Sequence, residues 1–284
     1  MIFRTRFAPS PTGPLHLGHA YSALLAFDLA QAASGALLLR IEDIDQSRAR
    51  ANWEAQIYDD LEWLGLRWEM PVMRQSNRLP AYDAALDALW DRGLLYSCTC
   101  TRADIAAAAS APQEGAPLLG PDGIIYPGTC RPTNPISGPR PRDTPLRLDM
   151  TRACKMIGWP LTFAEEGDGN PKTITVTQNE MISGVGDIVL ARRDMGTSYH
   201  LSVVIDDAEQ RISHVVRGRD LIEATPVHVV LQHLLGLFQP TYHHHRLIRD
   251  AAGKRLAKRD DARAIALFRH KGCSAQDIRA MVGL

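Results

Sequence analysis

The feature that most constrains this chain is the hexapeptide Ala36-Leu37-Leu38-Leu39-Arg40-Ile41, apolar at consecutive rather than alternating positions. A strand of that kind is buried on both faces, the condition of a parallel sheet covered by helices. Residues 2–8 read as a second strand. Between the two lies a helix, Leu17 to Ser34, closed by Gly35 as a left-handed C-cap. Strand, turn, helix, strand is a βαβ unit, so the predicted class is α/β.

Two further amphipathic helices follow. One begins after Asp45 and carries Trp53, Ile57, Leu61 and Leu64; the other places Tyr82, Leu86, Leu89 and Trp90 on one face before Gly93. From Cys98 to about Pro145 this periodicity fades and proline and glycine accumulate, which predicts an inserted, loop-rich module. Leu146 to Leu190 alternates as strands do, with a turn at Gly167-Asp168-Gly169-Asn170, and is grouped with the insertion. Leu201–Ile205 and His214–Val216 read as strands returning to the main sheet, followed by a helix from Thr225 to Leu237 capped by that threonine. The expected organisation is a catalytic domain in two parts, 1–97 and 191–240, interrupted by a module at 98–190 and followed by a short helical segment, 241–284.

A chain of 284 residues with 45% hydrophobic and 23% charged residues has the balance of an ordinary globular protein. No stretch approaches the length of a signal peptide or of the roughly 18 apolar residues that span a bilayer, so the expected location is the cytoplasm, with no membrane partner. Zero net charge makes no global electrostatic case for nucleic acid; any RNA contact must be local, and Lys254-Arg255-Leu256-Ala257-Lys258-Arg259 is one basic run that could supply it. Five cysteines, an odd number, argue against a disulfide framework and leave metal binding or plain burial. Cys98, Cys100 and Cys130 offer three soft ligands and lack a fourth, although thiols two residues apart could equally be buried. Cys154 and Cys273 read as buried small hydrophobes, and His243-His244-His245 as consecutive side chains that point apart and do not share a metal.

The turn between the first strand and the first helix runs Arg6-Phe7-Ala8-Pro9-Ser10-Pro11-Thr12-Gly13-Pro14-Leu15-His16-Leu17-Gly18-His19. A helix N-terminus attracts anions through its unpaired N–H groups and dipole, so a phosphate would sit there. His16 and His19 add two donors, and Gly18 lets a flat ring or phosphate approach the backbone.

This segment resembles the signature of class I aminoacyl-tRNA synthetases in its glutamyl form, with His-Leu-Gly-His as the first family motif. The resemblance continues through Arg40-Ile41-Glu42-Asp43, Arg192-Arg193-Asp194, Tyr199, Asp206-Asp207, Val216-Arg217-Gly218 and Asp220-Leu221-Ile222. The second motif, KMSKS, is matched by Arg255-Leu256-Ala257-Lys258-Arg259, in which Arg replaces the first lysine and Ala the serine. The resemblance implies a Rossmann-like catalytic domain carrying a zinc-containing α+β insertion. It implies that ATP, with Mg²⁺, is bound by His16, Gly18, His19, Arg255, Leu256 and Lys258, with His16, His19 and Lys258 catalytic. It implies an L-glutamate pocket of Arg6, Phe7, Ala8, Pro9, Ser10, Glu42, Tyr199 and Arg217. Tyr126, as fourth ligand to a structural zinc with Cys98, Cys100 and Cys130, comes from the same source.

The chemistry suits these parts. A carboxylate attacking the α-phosphate of ATP needs no protein nucleophile, only positioning and donors aimed at the developing charge, each worth on the order of 3 kcal/mol in the transition state. Only 25 residues follow Arg259, too few for an anticodon-binding domain, which needs about 100. That shortness, with the Cys98, Cys100, Tyr126, Cys130 pattern, resembles the short branch of the family, which implies transfer of glutamate to queuosine in the anticodon stem-loop of tRNA(Asp); a monomer is expected. The alternatives are a shortened enzyme charging the 3′ end of tRNA(Glu), or an inactive paralogue that binds RNA or a partner.

Overall fold

The structure, a computed structural model, describes residues 2–109, 119–121, 123–134, 136, 138–167, 169–248 and 264–284. The first βαβ unit consists of β1 (Arg4–Phe7), α1 (Leu17–Ala32) and β2 (Ala36–Ile41), and β1 and β2 pair in parallel. α2 (Ala51–Trp63), β3 (Glu69–Arg74) and α3 (Leu79–Asp91) follow, with β3 parallel to β2. Every residue of β2 after Ala36 is buried, as a consecutive apolar run requires when both faces are covered: Leu37, Leu39 and Ile41 lie in the core shared with α1 and α2, and Leu38 in the core that α3 enters.

After α3 come β4 (Leu95–Ser97), α4 (Arg102–Ala109), the hairpin β5 (Leu119–Gly120) and β6 (Gly123–Ile124), β7 (Leu146–Leu148), α5 (Met150–Lys155), β8 (Leu161–Glu165), β9 (Lys172–Val176) and β10 (Val189–Ala191). β7 lies between β10 and β4 in a small antiparallel sheet. The chain then forms α6 (Tyr199–Glu209), β11 (His214–Gly218), α7 (Thr225–Leu235), β12 (Thr241–His245), α8 (Ile265–His270) and α9 (Ala275–Val282).

β11 joins the first half of the sheet where the Ser213 N–H donates to the Arg4 carbonyl, and β12 runs parallel to β11. β8 then adds to β12 in parallel through Tyr242 and Glu165, with β9 antiparallel at the edge. The alternating hairpin of the insertion is thus hydrogen-bonded to the parallel sheet. Its close approach depends on Gly167, where a Cβ would fall 2.2 Å from the His244 carbonyl oxygen.

Three local expectations are corrected. Leu201–Ile205 is the middle of α6 rather than a strand; Ser198 caps that helix through its side chain, and the Leu201, Val203 and Val204 side chains are buried by helical rather than alternating packing. Thr225 opens α7 without capping it: its hydroxyl donates to the Leu221 carbonyl and accepts from Arg217. After α1 the left-handed residue is Ser34, with φ of 50°, while Gly35 is needed for space, since a Cβ there would lie 2.2 Å from the Phe3 carbonyl oxygen.

Two buried carboxylates tie α6 to the rest. Asp206, fully buried, accepts from Gln75 Nε2 at 2.9 Å and Tyr82 Oη at 2.7 Å, with Arg78 Nε at 3.4 Å, so it fastens α6 to α3 and the turn before it. Asp207 reaches the other way, to β1 and β2. The C-terminal helices close over α1, where Arg279 grips Asp28 with both terminal nitrogens at 2.8 and 2.9 Å and Ile278 and Val282 enter the core. Replacing Asp206 by Ala strands these donors in a dry environment and is expected to destabilise the fold by about 3–5 kcal/mol, read as a lowered urea midpoint at unchanged slope.

Candidate active site

A cavity of about 820 Å³ opens at the C-terminal ends of β1, β2 and β11 and at the start of α1. This is where open parallel sheets bind ligands. Arg6, Phe7, Ala8, Pro9, Ser10, His16, Gly18, His19, Glu42, Tyr199 and Arg217, all singled out in the sequence, line it together. Val216, Gly218, Asp220 and Leu221, which carry part of the family resemblance, line it as well, and so do Ser22 and the run from His245 to Ile248, to which the sequence assigned no role. Arg255, Leu256 and Lys258 lie outside the described residues. On either side of that stretch, Ile248 lines the cavity and Ala264 is bridged to His16, with the Ile265 N–H donating to the Leu15 carbonyl.

At the mouth, His16 is the N-cap of α1. Its Nδ1 accepts from the Gly18 N–H, and His19 Nδ1 accepts in turn from the His16 N–H, both at 3.1 Å. The two rings stack with centroids 3.8 Å apart. Because each Nδ1 is an acceptor, each neutral ring carries its proton on Nε2. Gly18 serves the ring as well as the cavity: a Cβ there would lie 3.0 Å from His16 Cε1 and press the imidazole out of place.

Two buried arginines form the inner wall, and they are held differently. Arg6 on β1 donates Nε and Nη2 to Asp207 at 2.9 and 3.4 Å and Nη1 to the Val216 carbonyl. Counting its five N–H groups, one is left on each terminal nitrogen, a pair suited to a carboxylate. Asp207 also accepts from Arg40 at 2.7 Å, and Arg40 donates to Glu42 at 3.2 Å. Burial would push Asp207 up, but Arg6 and Arg40 hold it below the ordinary carboxylate range. Burial pushes Glu42 up against the opposing pull of Arg40 and Arg6; a cation brought beside it would favour its ionised form.

Arg217 on β11 is 5% exposed, yet no carboxylate among the described residues pairs with it. Its partners are neutral: Nε donates to His244 Nε2 and Nη1 to His228 Nδ1, both at 3.1 Å, and Nη2 to Thr225 Oγ1 at 2.8 Å and the Leu221 carbonyl. A buried guanidinium without a counter-charge is costly, and here it lines a cavity, which makes the cavity complementary to an anion. The sequence marks His244 only as one of three consecutive histidines and Thr225 only as a cap, and assigns His228 no role; the fold brings all three to Arg217. His243, His244 and His245 alternate along β12 and form no metal cluster among the described residues.

A second cluster lies in the insertion. The sulfurs of Cys98, Cys100 and Cys130 fall within 4.8 Å of one another and can hold a metal ion. The Tyr126 hydroxyl is 3.4 Å from Cys98 Sγ and 3.3 Å from Cys100 Sγ, and accepts from the Cys130 N–H at 2.8 Å. Tetrahedral ligands around zinc stand roughly 3.5–3.8 Å apart, so three thiols and a phenol fit at this spacing. The Arg147 guanidinium stacks on the Tyr126 ring at 3.9 Å. Cys154 is buried as expected and its thiol is pushed up to about 11 by burial; Cys273 is only half-buried.

A nucleotide-type anion site, paired histidines and a buried arginine pair on one parallel sheet describe a synthetase-like catalytic domain, and the sequence comparisons agree. The family model described as tRNA synthetases class I (E and Q), catalytic domain, matches residues 2–116 and 168–283. The chain is 61% identical to the glutamyl-Q tRNA(Asp) synthetase of Rhodobacter capsulatus, over 99% of both chains. It is 40% identical to the protein of that name from Geobacter sulfurreducens, over 93% of this chain and 78% of that one. Among solved structures, a glutamate tRNA ligase from Elizabethkingia meningosepticum in complex with its amino acid superposes with a TM-score of 0.69 at 28% identity, over 92% of this chain and 53% of that one. The chain thus spans about half the length of that ligase. It belongs to the class I (E and Q) synthetase family and, within it, to the glutamyl-Q tRNA(Asp) synthetases.

The histidines lend the site a pH dependence. Burial, above all, pushes His214, His228, His243, His244 and His245 below the ordinary imidazole value, His244 to about 4. A histidine lowered in the fold stays neutral while the unfolded chain takes a proton, so its stabilisation is complete above the unfolded pKa of about 6.5 and is lost as pH falls toward the folded value. Asp60, raised to about 6 mainly by burial, and Glu42, raised mainly by burial, act in the opposite sense, but as two groups against five. Urea midpoints are expected to fall between about pH 7 and about pH 5, and a midpoint that rises over this interval would contradict the assignment.

Proposed function

We propose that the chain uses ATP to activate L-glutamate as glutamyl-adenylate and transfers the glutamyl group to queuosine in the anticodon stem-loop of tRNA(Asp). The carrying observation is the uncompensated, buried Arg217 in a cavity shared with Arg6, Glu42 and the stacked His16 and His19. Glutamate at physiological pH has two carboxylates and one ammonium. Arg6 and Arg217 face the carboxylates, Glu42 receives the ammonium, and Tyr199 with the Phe7–Ser10 turn bounds the pocket.

ATP takes the α1 end of the cavity. A glutamate carboxylate oxygen forms a bond to the α-phosphorus as the bond to pyrophosphate breaks. Nε2–H groups on His16 and His19, and the N–H groups at the start of α1, stabilise the charge on the phosphate oxygens. Lys258, with Arg255 and Leu256, completes the ATP site in this reading; the support is the family motif and the seating of Ile248 and Ala264 on either side of that stretch. Mg²⁺ accompanies the phosphates. In the second half-reaction a queuosine hydroxyl attacks the activated carbonyl and AMP leaves.

Zinc, one ion per chain, is the metal proposed for Cys98, Cys100, Tyr126 and Cys130, where it ties the segment after β4 to Tyr126 and Cys130 and stands apart from the adenylation chemistry. The module at 98–190 is proposed as the part that meets the RNA stem, and the cytoplasm as the location; no helix among the described residues is long and apolar enough to cross a membrane.

Glutamate-dependent ATP–pyrophosphate exchange should proceed without tRNA and should fall by at least about a hundredfold in Lys258→Ala, the scale of losing one transition-state donor. Radiolabelled glutamate should appear on tRNA(Asp) that contains queuosine, including tRNA from which the 3′-terminal adenosine has been removed, and not on queuosine-free tRNA(Asp). Acceptance that requires the 3′ adenosine and ignores queuosine would reverse the assignment of acceptor. Elemental analysis should find close to one zinc per chain in wild type and a large loss in Cys100→Ser; a metal-free, folded wild type would sink the zinc assignment.

A further inference from the structure

Arg6 and Arg217 differ in a way that the reaction alone does not explain. Arg6 is anchored by a carboxylate, which fixes its position and also neutralises it. Arg217 is anchored as firmly, by four hydrogen bonds, but every acceptor is uncharged. Guanidinium groups only donate, so His244 Nε2 and His228 Nδ1 must both be bare acceptors, and each ring must carry its proton on the other nitrogen. Both rings have a partner for that proton. His244 Nδ1 lies 2.5 Å from Glu165 Oε2, and His228 Nε2 lies 3.1 Å from His200 Nδ1.

We propose that His228 and His244 are positioning residues: fixed in opposite tautomers by His200 and Glu165, they aim Arg217 into the glutamate pocket while leaving its charge uncompensated. This inference depends on Arg217 being a partner of glutamate, as proposed above. A carboxylate in place of either ring would orient the guanidinium equally well and would remove the field that selects an anion. The surroundings keep the rings neutral: burial and then the Arg217 charge itself lower both histidines, so neither competes with Arg217 as a cation.

The arrangement also makes the insertion part of the amino-acid site. Glu165 is the last residue of β8, and its second oxygen accepts from the backbone N–H of His244 at 3.0 Å and of Gly167 at 2.8 Å. The only anion in the chain of contacts is thus held one ring away from Arg217. It stabilises the tautomer without pairing with the guanidinium.

The test compares His228→Asn with His228→Asp. Asparagine offers an uncharged oxygen near the place of Nδ1; aspartate offers a charged one. The glutamate KM in pyrophosphate exchange should be at least about tenfold higher for His228→Asp than for His228→Asn, with the ATP KM unchanged and thermal stability of the Asp variant equal or higher. A purely structural role predicts the reverse preference, since the ion pair holds the strand more strongly. Arg217→Gln separates the two levels of the argument. If it leaves the glutamate KM unmoved, the reading of Arg217 itself fails; if it raises the KM while the Asp and Asn variants agree within about twofold, only the positioning role fails. Should His228→Asp not fold, ¹⁵N NMR of the wild-type imidazoles decides. His244 protonated on Nδ1 alone and His228 on Nε2 alone are expected at neutral pH, and an imidazolium or the opposite tautomer at either position overturns the proposal.

Discussion

The interaction on which the rest of the structure depends is the carboxylate of Asp207 buried between Arg6 and Arg40. Arg40 sits on β2, fully buried, at a position where the consecutive apolar run would otherwise tolerate only a hydrocarbon. Such a cation is stable only because Asp207 and Glu42 overcome the penalty of burial and hold it well above its ordinary pKa. Those contacts bind the ends of β1 and β2 to α6 and fix the level of the pocket floor. Asp206, one residue earlier, faces α3. Adjacent residues on α6 therefore brace the sheet and the helix layer at once, and Arg6 reaches the cavity from a position that cannot shift without stranding three charges.

From that floor the site acquires a graded electrostatic pattern. Arg6 arrives neutralised on one side by Asp207 and with two N–H groups left over; Arg217 arrives oriented but not neutralised; Glu42, held by Arg40, adds a carboxylate to the lining. A ligand with one positive and two negative groups satisfies all three, whereas a neutral amino-acid side chain would leave a buried guanidinium without an anion. Selectivity of this kind comes from the penalty on the wrong ligand as much as from attraction of the right one.

Much of this was legible in the sequence because it is local. The β2 run, the α1 face and the turn from Arg6 to His19 each express one element whose burial follows from its own residues, and the residues expected in the glutamate and ATP pockets line one cavity wherever they are described. What escaped was non-local. Leu201–Ile205 has the β-branched character of a strand, but Ser198 caps a helix there, and Leu201, Val203 and Val204 are buried in the core shared with α3 and α7. His228 and His244 lie 11 and 27 residues from Arg217, with nothing in the intervening spacing to connect them. Consecutive histidines point apart along a strand, and the alternation on β12 sends His244 toward Arg217.

The edge hairpin shows why an insertion can matter to chemistry it does not perform. β8 could have paired anywhere along β12, but Gly167 admits the His244 backbone to a distance no side chain would allow, and this fixes the register that sets Glu165 against His244. A residue larger than glycine there would separate the strands and release the tautomer of His244, and with it one of the two uncharged supports of Arg217. The insertion is thus coupled to the amino-acid pocket through a single buried anion, while its cysteine cluster lies at the other end, next to β4 and β7. Among the described residues none between 98 and 190 lines the cavity, so the proposed aim of Arg217 depends on strand pairing outside the cavity's own lining.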